Sequence, residues 1–278
     1  MKDLQTMNIP PFIYGTAWKE QETKRLTHMA LNAGFRGIDT ANQRRHYVEA
    51  GVGEALKQAF EENLVQREEV FIQTKFTYVN GQDHRLPYDP HAPFGTQVEQ
   101  SFEKSREHLG VSYLDSYVLH GPSMRYGLSD TDWETWRAME KLHKENKTRF
   151  LGISNVGIDQ LEQLYDHANI KPTIVQNRCF ASMGWDRDVR LFCHDNGIIY
   201  QGFSLLTANP EIMQHPHVQA IASRMEQTIA QVVFRFAMQA HMIPLTGTTS
   251  ADHMAQDLSV CDFQLEAHDV EIIEMLMG

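Results

Sequence analysis

Short apolar runs alternate with helical patterns along the whole chain. PPFIYG, FRGID, VFIQTK, LDSYVLH, RFLGIS, TIVQ, IIYQGFS and MIPLTG read as eight strands. Most are nearly continuous in apolar residues, as strands covered on both faces are. Between them, Leu26, Met29, Ala30 and Ala33 share one helical face that stops at Gly34. Val52, Ala55, Leu56, Ala59 and Phe60 form the next face, at the i, i+3, i+4, i+7, i+8 spacing. Val98, Phe102 and Leu109 mark a third, stopped by Gly110, and Trp133, Trp136, Met139 and Leu142 a fourth. Further helices are predicted near residues 158–167, 187–195 and 228–240, the last opened by Thr228 and Gln231 at capping-box spacing. AHDVEIIEMLM is a final amphipathic segment. Such an alternation over roughly 250 residues predicts an α/β fold, a (β/α)8 TIM barrel, with residues 1–278 as one domain. A doubly wound sheet fits less well. Its phosphate fingerprint is missing, since GVGEAL at 51–56 ends in Leu and lies within a helix.

Several of the apolar runs end in a single polar residue. Three of these are Asp39, Lys75 and His120. In a parallel barrel, that edge carries the chemistry. Taken singly, each has a plain reading: Lys75 and Asp39 as a structural ion pair, His120 as a satisfied core histidine. Tyr47 lies eight residues after Asp39, at the expected start of the next helix. A phenol titrates near ~10, too high for easy proton donation at neutral pH. A nearby ammonium favours the phenolate, so Lys75 is expected to lower the Tyr47 pKa while Asp39 fixes Lys75. His120 would then orient a carbonyl or relay a proton. His215 and His217 have no third ligand at a recognised metal spacing, and no metal is expected. The stretch from Thr77 to Gly95, rich in Pro, Gly, His and Asp, is long enough to be a lid or a disordered loop.

Composition narrows the function classes. The 42% hydrophobic and 22% charged content supports a large core. A net charge of 25 − 36 = −11 argues against nucleic acid or an anionic membrane as a general partner. Cys179, Cys193 and Cys261 are odd in number and lack metal spacing, as expected in a reducing compartment. The N-terminal MKDLQTMNIPP has no long apolar core, and no run reaches a membrane span, so a cytoplasmic protein is expected. The sequon Asn146-Lys147-Thr148 is then read as chance.

In this order and spacing, the motifs resemble the aldo-keto reductases over nearly the whole chain. GFRGIDTA, HYVEAGVGEAL, VFIQTK, YLDSYVLHGP, LGISN and TIVQN resemble successive family motifs, and DTANQRRHY resembles a short subset with a DTANQ-x-x-HY pattern. The resemblance implies a catalytic tetrad of Asp39, Tyr47, Lys75 and His120. Tyr47 is preferred to its neighbour His46, because a phenol suits the acid role and an imidazole is already present. The implied activity is NAD(P)H-dependent reduction of aldehydes or ketones. The implied nicotinamide site is Ser154, Asn155 and Gln176 around the carboxamide, with Phe203 stacked on the ring and Ser204 and Leu205 following it. Gly15 and Thr16 match the first-strand motif, and Trp18 and Tyr78 are expected to line the substrate pocket, with Tyr88 as a further candidate.

The departures fall at the adenosine 2′-phosphate. Leu245 stands where the family places a Lys, and His253 where it places an Arg. Thr246, Thr248, Thr249, Ser250 and Asp257 complete the expected loop. Threonine and serine hydroxyls and helix-start amides can hold a phosphate, whereas a lone histidine is a weaker counter-charge than Arg and Lys. NADPH is the expected cofactor, with NADH as the alternative. The chain stops at EIIEMLMG, without the tail by which longer members close over substrate, so an open, tolerant pocket is expected. A small-molecule carbonyl substrate and a monomer or weak homodimer are implied. The rival reading is a nicotinamide-binding redox sensor or structural barrel without turnover; a metal-dependent barrel hydrolase is a third.

Overall fold

The computed structural model describes residues 7–276. The start of MKDLQTMNIPP and the last two residues of EIIEMLMG lie outside them. The eight expected strands form: β1 Ile13–Gly15, β2 Gly37–Asp39, β3 Phe71–Phe76, β4 Leu114–Leu119, β5 Thr148–Ser154, β6 Ile174–Arg178, β7 Ile199–Phe203 and β8 Met242–Thr246. They pair in parallel in sequence order, and β8 closes on β1, so the sheet is a barrel without edges.

Helices cover the outside. Thr23–Ala33 ends at Gly34, whose φ of 115° is open to glycine and whose N–H reaches the carbonyls of Ala30 and Leu31. Phe94–Leu109 ends at Gly110 in the same way. In Ile229–Gln239 the Thr228 hydroxyl accepts from the Gln231 N–H, and the Gln231 side chain accepts in return from the Thr228 N–H. The helix Glu49–Glu61 packs so tightly on Phe94–Leu109 that a Cβ on Gly53 would sit 1.9 Å from the His108 carbonyl oxygen. Two short helices between β7 and β8, Pro210–Met213 and Pro216–Met225, were not marked by hydrophobic spacing.

Alternation along the strands layers the barrel interior. Side chains two residues apart share a strand face. Phe71, Gln73 and Lys75 therefore share one face of β3, as do Ile174 and Gln176 on β6, and Ile199, Gln201 and Phe203 on β7. Ile9, Ile13, Phe71, Ile174, Ile199, Ile243 and Leu245 form one apolar cluster. Gln73, Gln176 and Gln201 make the next layer, all buried, with Asp39 beside them. The interior thus passes from apolar at the strand starts to hydrogen-bonding at the strand ends.

Candidate active site

Asp39 and Lys75 meet at the strand-end side of the barrel. The Lys75 ammonium lies 2.6 Å from both Asp39 carboxylate oxygens and 2.9 Å from the Thr40 carbonyl oxygen. Both side chains are almost fully buried, with 1% and 4% exposure. Breaking such a pair leaves an uncompensated charge, so each partner requires the other. Burial pulls Lys75 below the ordinary lysine range, and the charge and hydrogen bonds of Asp39 act against that pull.

Tyr47 lies just ahead of the helix Glu49–Glu61 rather than inside it. Its ring centroid is 5.5 Å from the Lys75 ammonium and 6.1 Å from the His120 ring. The expected lowering of its pKa does not occur. Burial raises the phenol well above its ordinary value, and the Asp39 carboxylate raises it further. Burial is the larger cause, and the Lys75 ammonium beside the ring is shared with the Asp39 carboxylate. Tyr47 therefore keeps its proton throughout the neutral range.

His120 follows the last residue of β4. Burial pushes its imidazole down to about 3, with the Lys75 charge and then His46 adding to the effect. Its Nδ1 is 2.7 Å from the Thr77 hydroxyl. It is thus a neutral ring held on one side, able to offer a single donor or acceptor with its other nitrogen. A cavity of about 610 Å³ opens beside it, lined by Thr77, Tyr78, Asn80, Phe94, Ser123 and Asn155 among others. Tyr78 is fixed there by hydrogen bonds from its hydroxyl to Asp132 and Thr135, at 2.9 and 3.0 Å. Tyr88 is buried instead, bonded to the Thr77 carbonyl oxygen. Trp18 stands at the rim, 71% exposed, with its ring 4.0 Å from that of His46. His46 itself lines the cavity.

Around the opposite strand ends, Ser154, Asn155 and Gln176 are already joined. The Ser154 hydroxyl donates to the Gln176 carbonyl oxygen at 2.5 Å. Asn155 Nδ2 donates to the His120 carbonyl oxygen at 2.7 Å and to Ser154 Oγ at 3.2 Å. Carbonyl oxygens only accept, so the Asn155 amide must turn its nitrogen to His120 and keep its oxygen free. Asn155 and Ser204 both take left-handed backbone, φ 51° and 58°. Phe203 is half-buried at the end of β7, and Leu205 is packed into the core beyond it. Arg178, which had no place in the sequence reading, lies 5.7 Å from the Phe203 ring centroid. A Cβ on Gly15 would sit 3.4 Å from the Thr246 carbonyl oxygen, an ordinary contact distance. Thr16, buried next to it, donates its hydroxyl to the Asp39 carbonyl oxygen.

The loop after β8 turns polar groups outward. Leu245 is buried in the apolar cluster and holds no anion. Ser250 caps the helix Ala251–Leu258 by accepting from the His253 N–H. The Thr248 hydroxyl accepts from the Ser250 N–H at 3.2 Å and lies 3.5 Å from His253 Nδ1. Thr249 is exposed between them. Asp257 is buried beside Thr246, and burial lifts its carboxyl to about 6. Lys19, on the loop after β1, reaches across and donates to the Gly247 carbonyl oxygen. Sequence reading missed Lys19; its only signal was a cation four residues after Gly15.

The model of the Aldo/keto reductase family matches residues 11–209 and 213–277. The chain belongs to that family. An oxidoreductase of Bacillus subtilis, YtbE, is 32% identical over 89% of this chain and 81% of its own length. A glyoxal reductase of the same organism is 30% identical over 89% of this chain and 80% of its own. Among solved structures, the Bombyx mori aldo-keto reductase AKR2E4, determined in complex with NADP, superposes with a TM-score of 0.81. It is 25% identical, covering 96% of this chain and 88% of that one. This aldo-keto reductase is accordingly an oxidoreductase of the NAD(P)H-dependent, carbonyl-reducing class.

Proposed function

We propose that Tyr47, Lys75, Asp39 and His120 form the catalytic centre and that NADPH supplies the reducing equivalents. The observation that carries this reading is the buried Lys75–Asp39 pair with the Tyr47 ring 5.5 Å from the ammonium and 6.1 Å from the ring of His120, which lines the cavity. When bound, a reduced nicotinamide would supply hydride to the carbonyl carbon. His120 points the carbonyl oxygen by offering one hydrogen bond from the ring nitrogen not held by Thr77. Tyr47 gives its proton to the oxygen as negative charge develops there. Lys75 steadies the phenolate left behind, and Asp39 holds Lys75 in place.

The residues present fit a nicotinamide dinucleotide. Asn155 and Gln176 can accept from a carboxamide, Phe203 offers a ring face, and the bare backbone of Gly15 allows close approach. At the adenosine end, Thr248, Thr249, Ser250 and the first amides of Ala251–Leu258 supply neutral donors, and His253 a titrating one. NADPH is favoured by family membership and by the NADP complex of the Bombyx mori relative. The substrate is a small aldehyde or ketone. Fluorescence titration with NADPH and NADH side by side tests the cofactor reading, and NADPH oxidation over small aldehydes, ketones and keto esters tests turnover. Saturable NADPH binding with turnover is expected. Tight binding without turnover across the panel would replace the enzyme reading by the sensor reading.

A further inference from the structure

Beneath the proposed carboxamide clamp lies a closed set of hydrogen bonds among three glutamines and Asp39. Gln73 Nε2 donates to Asp39 Oδ1 at 2.7 Å and to Gln201 Oε1 at 2.8 Å. Gln176 Nε2 donates to the same two oxygens, both at 3.0 Å. Gln201 Nε2 returns a bond to Gln73 Oε1 at 3.3 Å. Gln73, Gln176 and Gln201 are 0%, 3% and 0% exposed. They come from β3, β6 and β7, and the register sets Asp39 opposite Gln73 and Gln176 opposite Gln201.

The direction of every amide follows from one charge. A carboxylate held against an ammonium can only accept, so Gln73 and Gln176 must turn their NH2 groups to Asp39. Each then has one N–H left, and both point it at Gln201. Gln201 must answer with its oxygen, which sends its own NH2 to Gln73. Both Gln176 protons are thereby consumed, and its Oε1 accepts no hydrogen bond among the described residues. The amide oxygens of Gln43, Gln82 and Gln97 are also unpartnered, but they are sealed in the interior; that of Gln176 is not.

We propose that Gln73 and Gln201 are positioning residues that lock the Gln176 amide with its oxygen toward the nicotinamide, so that the clamp reads the carboxamide NH2. This rests on the reading of Gln176 and Asn155 as the clamp. Asn155 Oδ1 is free for the same reason, its nitrogen being held by His120. The clamp therefore presents two acceptors. It matches a carboxamide, which donates, and opposes a carboxylate, which cannot. It also ties cofactor recognition to the Lys75–Asp39 pair, because the same carboxylate oxygen that binds Lys75 fixes Gln176.

The test compares equilibrium binding of NADP+ with that of its nicotinic-acid analogue, by fluorescence or calorimetric titration. The wild-type protein is expected to prefer NADP+. Gln201→Met and Gln73→Met keep side-chain volume and remove the hydrogen bonds. Gln201→Met removes the second bond of the Gln176 Nε2 and Gln73→Met releases the Gln201 amide, so Asp39 alone is left to direct Gln176, and the preference is expected to narrow by about tenfold. The ratio of two affinities measured on one sample is insensitive to the fraction folded. The two variants enter the network from different strands, so poor folding of one leaves the other to decide. An unchanged ratio in the folded variant would overturn the proposal, as would a wild-type protein that binds NADP+ and its analogue equally. Failure of the wild type to bind either dinucleotide would overturn the nicotinamide reading itself, and the proposal with it.

Discussion

The proton on Tyr47 is held firmly in this structure. Burial raises the phenol above its ordinary value, and the Asp39 carboxylate raises it further. The tyrosine therefore keeps its proton at neutral pH, and in the proposed reaction its release waits for negative charge on the substrate oxygen. His120 is the other residue whose state matters. Its neutral ring persists down to about 3. The rate of reduction should show no inflection near the ordinary histidine value of ~6.5 that disappears in His120→Asn. Stability gives a second reading. Between the unfolded value near ~6.5 and the folded value, the unfolded chain binds a proton that the native ring does not, so the folded state loses stability as pH falls through that window. His120→Asn should show a smaller drop in Tm between pH ~7 and ~4.5 than the wild type; an equal drop would mean that His120 is charged in the native protein. At this scale the sequence exposed Asp39, Lys75 and His120, because a polar residue ending an apolar run is conspicuous. Gln73 and Gln201 were invisible. Both faces of these strands are buried, so alternation does not say which face lines the barrel; closure of the sheet decides that.

Among the elements, the segment after β3 is the clearest gain over the sequence. Its composition allowed a lid or disorder. In the structure the segment lines the cavity and is tied down: Gln43 donates to the Gly81 carbonyl oxygen at 2.6 Å, Gln82 to that of Asn42 at 2.8 Å, and Gln97 to that of Ala92 at 2.8 Å. Loop carbonyls buried without a strand partner need donors, and long amide side chains supply them. The first two of these contacts join residues 38 and 40 positions apart along the chain, so no local pattern announces them. Helix packing gives a direct test. Gly53→Ala would drive a methyl into the His108 carbonyl, and a loss of about 1–3 kcal/mol or more is expected in denaturant unfolding. Stability equal to wild type would contradict the close contact. The helix Ala251–Leu258 carries another. Asp257, lifted to about 6 by burial, acquires negative charge as pH rises through that value. If the 2′-phosphate binds at this helix, NADPH affinity should fall across that window more than NADH affinity does. Asp257→Asn should flatten the NADPH curve, as titrations at pH ~5.5 and ~7.5 would reveal.

For the molecule as a whole, the eight-fold alternation was legible because each strand and each helix carries its own period, and parallel order follows from helical crossovers. The polar gradient inside the barrel was not, since it exists only once eight strands share one axis. That gradient places the Asp39–Lys75 pair on a hydrogen-bonded floor rather than in an apolar core. Above it are the cavity on one side and the proposed dinucleotide groove on the other. Among the described residues no helix is long and apolar enough to cross a membrane. The central claim is that this rim reduces a carbonyl with a proton from Tyr47. The most direct measurement is single-turnover reduction by Tyr47→Phe, with NADPH affinity determined on the same preparation. The expected result is a rate reduced by about 100-fold or more with affinity within a few-fold of wild type. A variant that reduces the carbonyl at the wild-type rate would contradict it.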